Sequence, residues 1–370
     1  MGGVAVVGCG FVADLYMASL RSFPAIPVLG AFDRDAIRLD AFSRHWGAPA
    51  LPSLDALLAG LPPGGLVLNL TNPASHAEVT GAALEVRRHV WSEKPMALSL
   101  GEARDLHGRA EAAGVTLSSA PSSVLGEAAQ ALAKAVREGA VGALRLAYAE
   151  MDDGFLAQAP LGEWRSASGA PWPVADELRT GCALEHAGYW VGPLIAALGP
   201  VARVETATAL AVPGKHGVTG EAPDVAVALL TFREGPVARL TCSIVAPHDH
   251  RLRLVGDRGV VELGEAWDNA APVRVRRRVR VRRRLLEMPW GRRVRMPRRT
   301  HPKVGRTGAA AMNFALGPAE ALDAIAAGRP PRLSGAYALH LTEVTLACAT
   351  AGRHEMATTC ARPEAMPWAS

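Results

Sequence analysis

The chain has 370 residues, 49% hydrophobic and 20% charged, which is more than a single hydrophobic core accommodates, so two domains are expected. No run of about 18 residues is apolar and free of charge, which argues against a membrane-spanning helix, and no basic, apolar and small-residue leader precedes the first strand pattern, so a cytoplasmic protein with no membrane partner is expected. The net charge of +5 is concentrated in one arginine run, so nucleic acid is not expected as a partner. The five cysteines, Cys9, Cys182, Cys242, Cys348 and Cys360, lack C-x-x-C or Cys/His spacing and read as buried small hydrophobes.

Val4 to Val7 is a continuous apolar run, as in a parallel strand covered on both faces. It leads into Gly8-Cys9-Gly10-Phe11-Val12-Ala13, a G-x-G-x-x-A sequence at the start of a helical pattern. Gly8 permits the tight turn, Gly10 the approach of backbone to a pyrophosphate, and Ala13 close packing of helix on strand, while Phe11 and Val12 begin the turn whose N–H groups face the phosphates. A second strand, Val28 to Phe32, ends in Asp33, where a carboxylate holds the adenosine ribose and favours NAD over NADP. Arg34 directly after it leaves NADP possible, and Asp33 can also be read as a turn residue before Asp35.

Gly65 to Thr71 reads as a fourth strand, with Thr71, Asn72, Pro73 and His76 at the carboxyl edge of the sheet where open α/β folds bind ligands. A helix from about Ala77 to Val86 precedes the strand His89 to Ser92, which runs into Glu93-Lys94-Pro95. Lysine is seldom buried without a partner or a task, so Lys94 at the tip of a strand marks a site. Repeated strand–helix units imply an α/β chain with an N-terminal Rossmann doubly wound parallel sheet.

The glycine motif, Thr71-Asn72-Pro73 with His76, and Glu93-Lys94-Pro95 together resemble the glucose-fructose oxidoreductase / inositol dehydrogenase / rhizopine-catabolism (Gfo/Idh/MocA) family. The resemblance implies a nicotinamide cofactor bound by residues 1–121, and a substrate-binding and oligomerising α+β domain over residues 122–370 built on a large open-faced, mostly antiparallel sheet. It places Lys94 near the reacting hydroxyl with a Lys-Pro bond that is commonly cis, and it implies a homodimer or homotetramer formed through the open sheet. Two departures stand out. Ala120-Pro121-Ser122-Ser123 replaces an Asn-x-Arg-Phe pattern of many relatives, and in Gly181-Cys182-Ala183-Leu184-Glu185-His186-Ala187-Gly188-Tyr189-Trp190, His186 stands where the family has aspartate and Trp190 where it has its catalytic histidine.

Histidine exchanges a proton at neutral pH, so the expected catalytic set is Lys94 to polarise the substrate oxygen, His186 to move the proton, and Tyr189 to orient substrate. His186 can alternatively be a helix-packing residue. Strands are expected at 203–207, 225–232, 238–245 and 251–255. His248-Asp249-His250 is not expected to bind metal, because adjacent strand residues face opposite sides. The run from Arg274 to Arg284, with arginines continuing to Arg299, alternates with valines as a strand does; a solvated hairpin, a cradle for an anionic substrate and a nucleic-acid surface are the three readings, in that order. The expected function is NAD(P)-dependent hydride transfer at a hydroxyl or keto group of a sugar, cyclitol or activated sugar. The alternatives are a redox-silent scaffold of the same fold, or transient use of tightly held NAD in elimination or epimerisation.

Overall fold

The computed structural model describes residues 2–296, 300–302, 304–305 and 308–369, so Arg298 and Arg299 of the basic run lie outside the described residues. The chain divides into two compact units. The first holds the chain up to Ser122, residues 158–180 and residues 313–342; the second holds residues 123–157, 181–312 and those from Glu343 onward.

In the first unit, β1 (Val4–Val7), α1 (Phe11–Leu20), β2 (Val28–Phe32), α2 (Ala36–Trp46), α3 (Leu54–Gly60), β3 (Leu66–Asn69), α4 (His76–Glu85), β4 (His89–Ser92), α5 (Leu100–Ala113) and β5 (Leu117–Ser119) alternate. The strands pair in parallel in the order β2-β1-β3-β4-β5. β1 and β3 are buried at every position, as the continuous apolar runs require. Ala5, Val7 and Val67 of these strands join Leu57, Leu58, Leu84, Leu106, Leu117 and, from far along the chain, Ala338 and Leu339 in one core. The stretch from Leu66 is the third strand, not the fourth: the segment between α2 and α3 makes only the isolated bridge Ala31–Ala50 and does not form a strand of its own. His89–Ser92 and Leu117–Ser119 accordingly become the fourth and fifth.

The second unit carries β6 (Leu144–Asp152), β7 (Val201–Ala209), β8 (Val225–Phe232), β9 (Val237–Ser243), β10 (Leu252–Gly256), β11 (Gly259–Leu263), β12 (Val273–Val281), β13 (Arg284–Glu287), β14 (Arg292–Arg293) and β15 (Gly352–Glu355). Among the described residues these form a ten-stranded sheet in the order β13-β12-β11-β10-β6-β9-β8-β7-β15, with β14 beside β12. All pairings are antiparallel except β6 with β9. β8 shows why one face is covered and one is open: Ala226, Ala228, Leu230 and Phe232 are buried while Val227 and Leu229 between them are exposed.

The arginine run is a strand pair, as its period of two predicts. Beyond Arg277, however, its valines do not find a covered face: Val279 and Val281 are exposed, as are Leu285 and Leu286 on β13. The hairpin turns at Arg282, whose φ of 54° is left-handed. Arg276 pairs with Glu262 (2.6 Å) and Glu287 (3.2 Å), and Arg278 donates to the Gly256 carbonyl (2.8 Å), so two of the arginines hold the sheet together.

Candidate active site: a cofactor platform and a polar cluster

The order β2-β1-β3 makes the chain leave β1 to one side and return on the other, and the crevice at that switch point, beyond the strand ends, is where open α/β sheets take ligands. Gly8 sits there at φ +90°, and a Cβ on it would lie 2.7 Å from the Leu70 and Thr71 backbone. Gly10 is different. A Cβ at Gly10 meets nothing within 4 Å, so this glycine faces open space, and it caps α1 with no side chain bonded to the first-turn N–H groups. Phe11 and Val12 begin that helix, whose N-terminus carries partial positive charge.

Asp33 stands at the end of β2, nearly buried. One carboxylate oxygen accepts from the Cys9 N–H (2.8 Å) and lies 3.3 Å from the Arg38 guanidinium; the other accepts from the Asp35 N–H (2.8 Å). It therefore fixes the glycine turn against β2, and the arginine beside it is Arg38, one turn into α2, rather than the exposed Arg34.

Asn69, the last residue of β3, donates to the His76 carbonyl and to Thr80 (3.0 Å each) and accepts from the Thr71 hydroxyl (2.7 Å). The two ring nitrogens of His76 face the Pro95 (2.6 Å) and Thr71 (3.0 Å) carbonyls. Fully buried, His76 ties the loop after β3 to the loop after β4. Asn72 donates to Asp176 (3.2 Å), and Pro73 opens a single 3₁₀ turn.

Lys94 follows β4 and is half-buried, and its bond to Pro95 is cis. The carboxylate beside it is locked: the Glu93 oxygens accept from the Tyr16 hydroxyl (2.6 Å) and from the Lys94 N–H (3.1 Å), and the Tyr16 oxygen accepts in turn from the Trp91 indole (2.8 Å). Tyr16, one and a half turns into α1, was not legible as a site residue; only its place on the face of α1 toward β4 gives it the role. Asp14 was also missed. It accepts from Trp46 (2.5 Å) and from the Ser168 N–H (2.6 Å), and with Asn72–Asp176 it holds residues 158–180 onto this unit.

In the second unit the register of three strands gathers a polar cluster. Leu252 of β10 stands opposite Ala149 of β6 and Leu263 of β11, so the residues just before β10 lie beside those just after β6 and β11. That brings together Asp153, His248, His250, Glu265 and Trp267. His248 and His250 are two residues apart, not adjacent, and face the same side with ring centroids 4.0 Å apart. The expectation that they point to opposite faces is corrected for that reason: alternation separates i from i+1 and reunites i with i+2. Glu265 accepts from both, from His250 Nδ1 (2.8 Å) and His248 Nε2 (3.1 Å), and from the Trp267 N–H (3.0 Å). Burial raises the Glu265 carboxyl, and these hydrogen bonds outweigh it and bring it down to about 2. Burial pushes Asp153 up to about 7.

His186 ends the helix Cys182–His186, with Nε2 3.7 Å from Asp153 and its ring 5.9 Å from Trp267. Tyr189 packs edge-on against the same tryptophan at 6.1 Å. Trp190, by contrast, is core: its indole donates to the Glu150 carbonyl (2.7 Å) in a buried position. His186 and Tyr189 thus share one cluster, and Trp190 takes no part in it.

The family model described as oxidoreductase family, NAD-binding Rossmann fold, matches residues 3–120, and the model of the Gfo/Idh/MocA C-terminal domain matches residues 129–262. D-apiose dehydrogenase of Paraburkholderia graminis is 27% identical over 243 residues, which span 65% of this chain and 60% of that protein. Among solved structures, UDP-N-acetylglucosamine 3-dehydrogenase of Acidithiobacillus ferrooxidans superposes with a TM-score of 0.70 at 21% identity over 94% of this chain and 96% of the other. An inositol dehydrogenase homologue of Azotobacter vinelandii, complexed with NADH and myo-inositol, superposes at 0.73 with 16% identity over 95% and 97%.

Proposed function

The chain belongs to the Gfo/Idh/MocA oxidoreductase family, and we propose on that premise that it transfers hydride between NAD and a hydroxyl or keto carbon of a sugar, cyclitol or activated sugar. The observation that carries the reading is the pairing, within one Rossmann unit, of the Gly8–Gly10 turn at the switch point with Lys94 on a Glu93-anchored strand end. Residues 1–121 are proposed as the cofactor domain and 122–370 as the part that binds substrate and assembles oligomers, with residues 158–180 and 313–342 of the latter belonging to the first compact unit.

NAD fits the residues present. Gly10 leaves room where a side chain would intrude, the first turn of α1 offers N–H groups without a side-chain cap, and Asp33 provides carboxylate oxygens at the ribose position. The carboxylate argues for NAD over the 2′-phosphorylated cofactor, with Arg38 rather than Arg34 as the guanidinium next to it. Bound NAD supplies the hydride acceptor. Lys94 holds and polarises the reacting oxygen, while His186 carries its proton and Tyr189 orients the substrate.

The test is direct: purified protein is mixed with NAD and a panel of aldoses, cyclitols and nucleotide sugars, and the NADH absorbance is followed. At least one substrate gives turnover, and Lys94→Ala lowers kcat/KM by on the order of 10²-fold while NAD affinity is retained. His186→Asn lowers kcat more than it changes KM. Tight NAD binding with no absorbance change on any substrate overturns the redox reading in favour of a cofactor-binding scaffold.

A further inference from the structure

We propose that Asp153, His248 and His250 form a binding site for one divalent transition-metal cation in the second unit. One donor atom from each of the three residues lies within 4.8 Å of the others. A tetrahedral ion with bonds of about 2.0–2.1 Å holds its donors roughly 3.4 Å apart, so a small inward rotation of the side chains closes the set.

The second, independent observation is the state of His250. Its side chain is 0% exposed, its Nδ1 is engaged by Glu265 at 2.8 Å, and its Nε2 is buried with no hydrogen-bond partner. Glu265, acceptor-only as an anion, fixes the proton on Nδ1 and leaves Nε2 as a bare lone pair. A buried acceptor without a donor is destabilising, and a cation is the ligand a lone imidazole pair suits. Glu265 treats His248 in mirror fashion, holding Nε2 at 3.1 Å and leaving Nδ1 for the ion. One carboxylate orienting two histidines by their far nitrogens is the outer-shell arrangement that metal-bound imidazoles use.

Two imidazoles and one carboxylate select a transition cation such as zinc, iron(II) or cobalt(II) over magnesium or calcium, which take all-oxygen sets. The side chain of His248 is 49% exposed, which gives the ion a way in. Three protein ligands leave coordination positions open, and oxygen donors such as neighbouring hydroxyls of a polyol match them. None of the five cysteines, all buried and unbridged, is in the cluster.

The experiment needs neither NAD nor substrate, so it stands apart from the redox proposal. Full-length protein is stripped with chelator, dialysed and titrated with Co²⁺, with stoichiometry read by elemental analysis and geometry by visible absorption without a thiolate band. One equivalent per chain is expected, displaced by Zn²⁺. Asp153→Asn and His250→Gln each weaken binding at least ten-fold, Glu265→Gln weakens it ten- to a hundred-fold, and all three variants keep the wild-type circular dichroism. Because Trp267 lies 4.4 Å from His250, Co²⁺ also quenches its fluorescence, a change lost in Trp267→Phe. Sub-stoichiometric binding, or full binding in a folded His248→Gln/His250→Gln double variant, overturns the site. If His250→Gln fails to fold, Glu265→Gln and the quenching decide it: unchanged affinity with no quenching is the overturning result.

Discussion

The two glycines of the turn after β1 carry different loads, and substitution separates them. At Gly8 a methyl group has nowhere to go: φ is +90° and the Leu70 and Thr71 backbone is 2.7 Å from the new atom. Gly8→Ala is expected to cost more than about 2 kcal/mol and to lower the melting temperature, because both strain and clash fall on backbone. At Gly10 the same methyl meets nothing, so Gly10→Ala is expected to leave the melting temperature within a degree or two while weakening NAD binding by at least ten-fold in a fluorescence titration. Equal losses of stability in the two variants would contradict this division. The positions of the glycines at the turn and of Asp33 and Lys94 at strand ends were legible in the sequence because they follow from local backbone rules. Arg38, Tyr16 and Asp14 were not, since each acts through a partner at least five and up to 154 residues away, and a helix pattern does not say which face will carry the hydrogen bond.

At the scale of elements, the loop before β8 is held by a charge cluster that composition did not reveal. Lys215 is buried, with Nζ 3.0 Å from Asp224 and 3.3 Å from Glu221, and it donates to the Val212 carbonyl at 2.6 Å. Burial raises the Asp224 carboxyl, but the Ala211 and Val212 N–H groups and the Lys215 ammonium outweigh it and leave its pKa below the ordinary value. A carboxyl depressed in the folded state contributes stability that is complete above its unfolded pKa, about 3.9, and is lost as pH falls through the lower folded value. Stability is therefore expected to drop on acidification below about pH 4. Asp224→Asn removes that part of the acid dependence and, by leaving the buried ammonium with Glu221 as its carboxylate partner, costs about 3 kcal/mol at neutral pH in urea unfolding. An acid limb of unchanged slope in the variant counts against the assignment. The strands at 203–207, 225–232, 238–245 and 251–255 were readable from alternation, but β6, the strand that pairs on both sides between β9 and β10, was not. Its sequence, Leu-Arg-Leu-Ala-Tyr-Ala-Glu-Met-Asp, mixes alanines with charges on the open face, where Arg239 and Arg253 flank the Tyr148 ring at 5.0 and 5.2 Å. His186 and the His248–His250 pair were singled out in the sequence, but their gathering with Asp153 and Glu265 was not, since the register of β6 with β10 and of β10 with β11 creates it.

For the whole molecule, the open face of the large sheet sets the remaining expectation. Val227 and Leu229 project from β8 with 41% and 40% of their surface exposed, and a shallow depression around them is lined by Glu205, Ala207, Arg239 and Arg353. Adjacent exposed apolar side chains on the open face of a sheet, rimmed by groups of both charges, are compatible with a subunit interface. We propose that this face pairs with the same face of a second copy. A two-fold arrangement brings each β8 against its equivalent, so one substitution acts twice in the interface. Light scattering on the wild-type protein is accordingly expected to give a dimer or tetramer. Leu229→Glu places two carboxylates in each contact and is expected to shift the mass to that of the monomer, with far-ultraviolet circular dichroism unchanged. Val279→Glu on the hairpin of β12 and β13, equally exposed but set among arginines, is expected to leave the mass as it was. A monomeric wild type, or a shift produced by the hairpin variant instead, would move the interface away from β8.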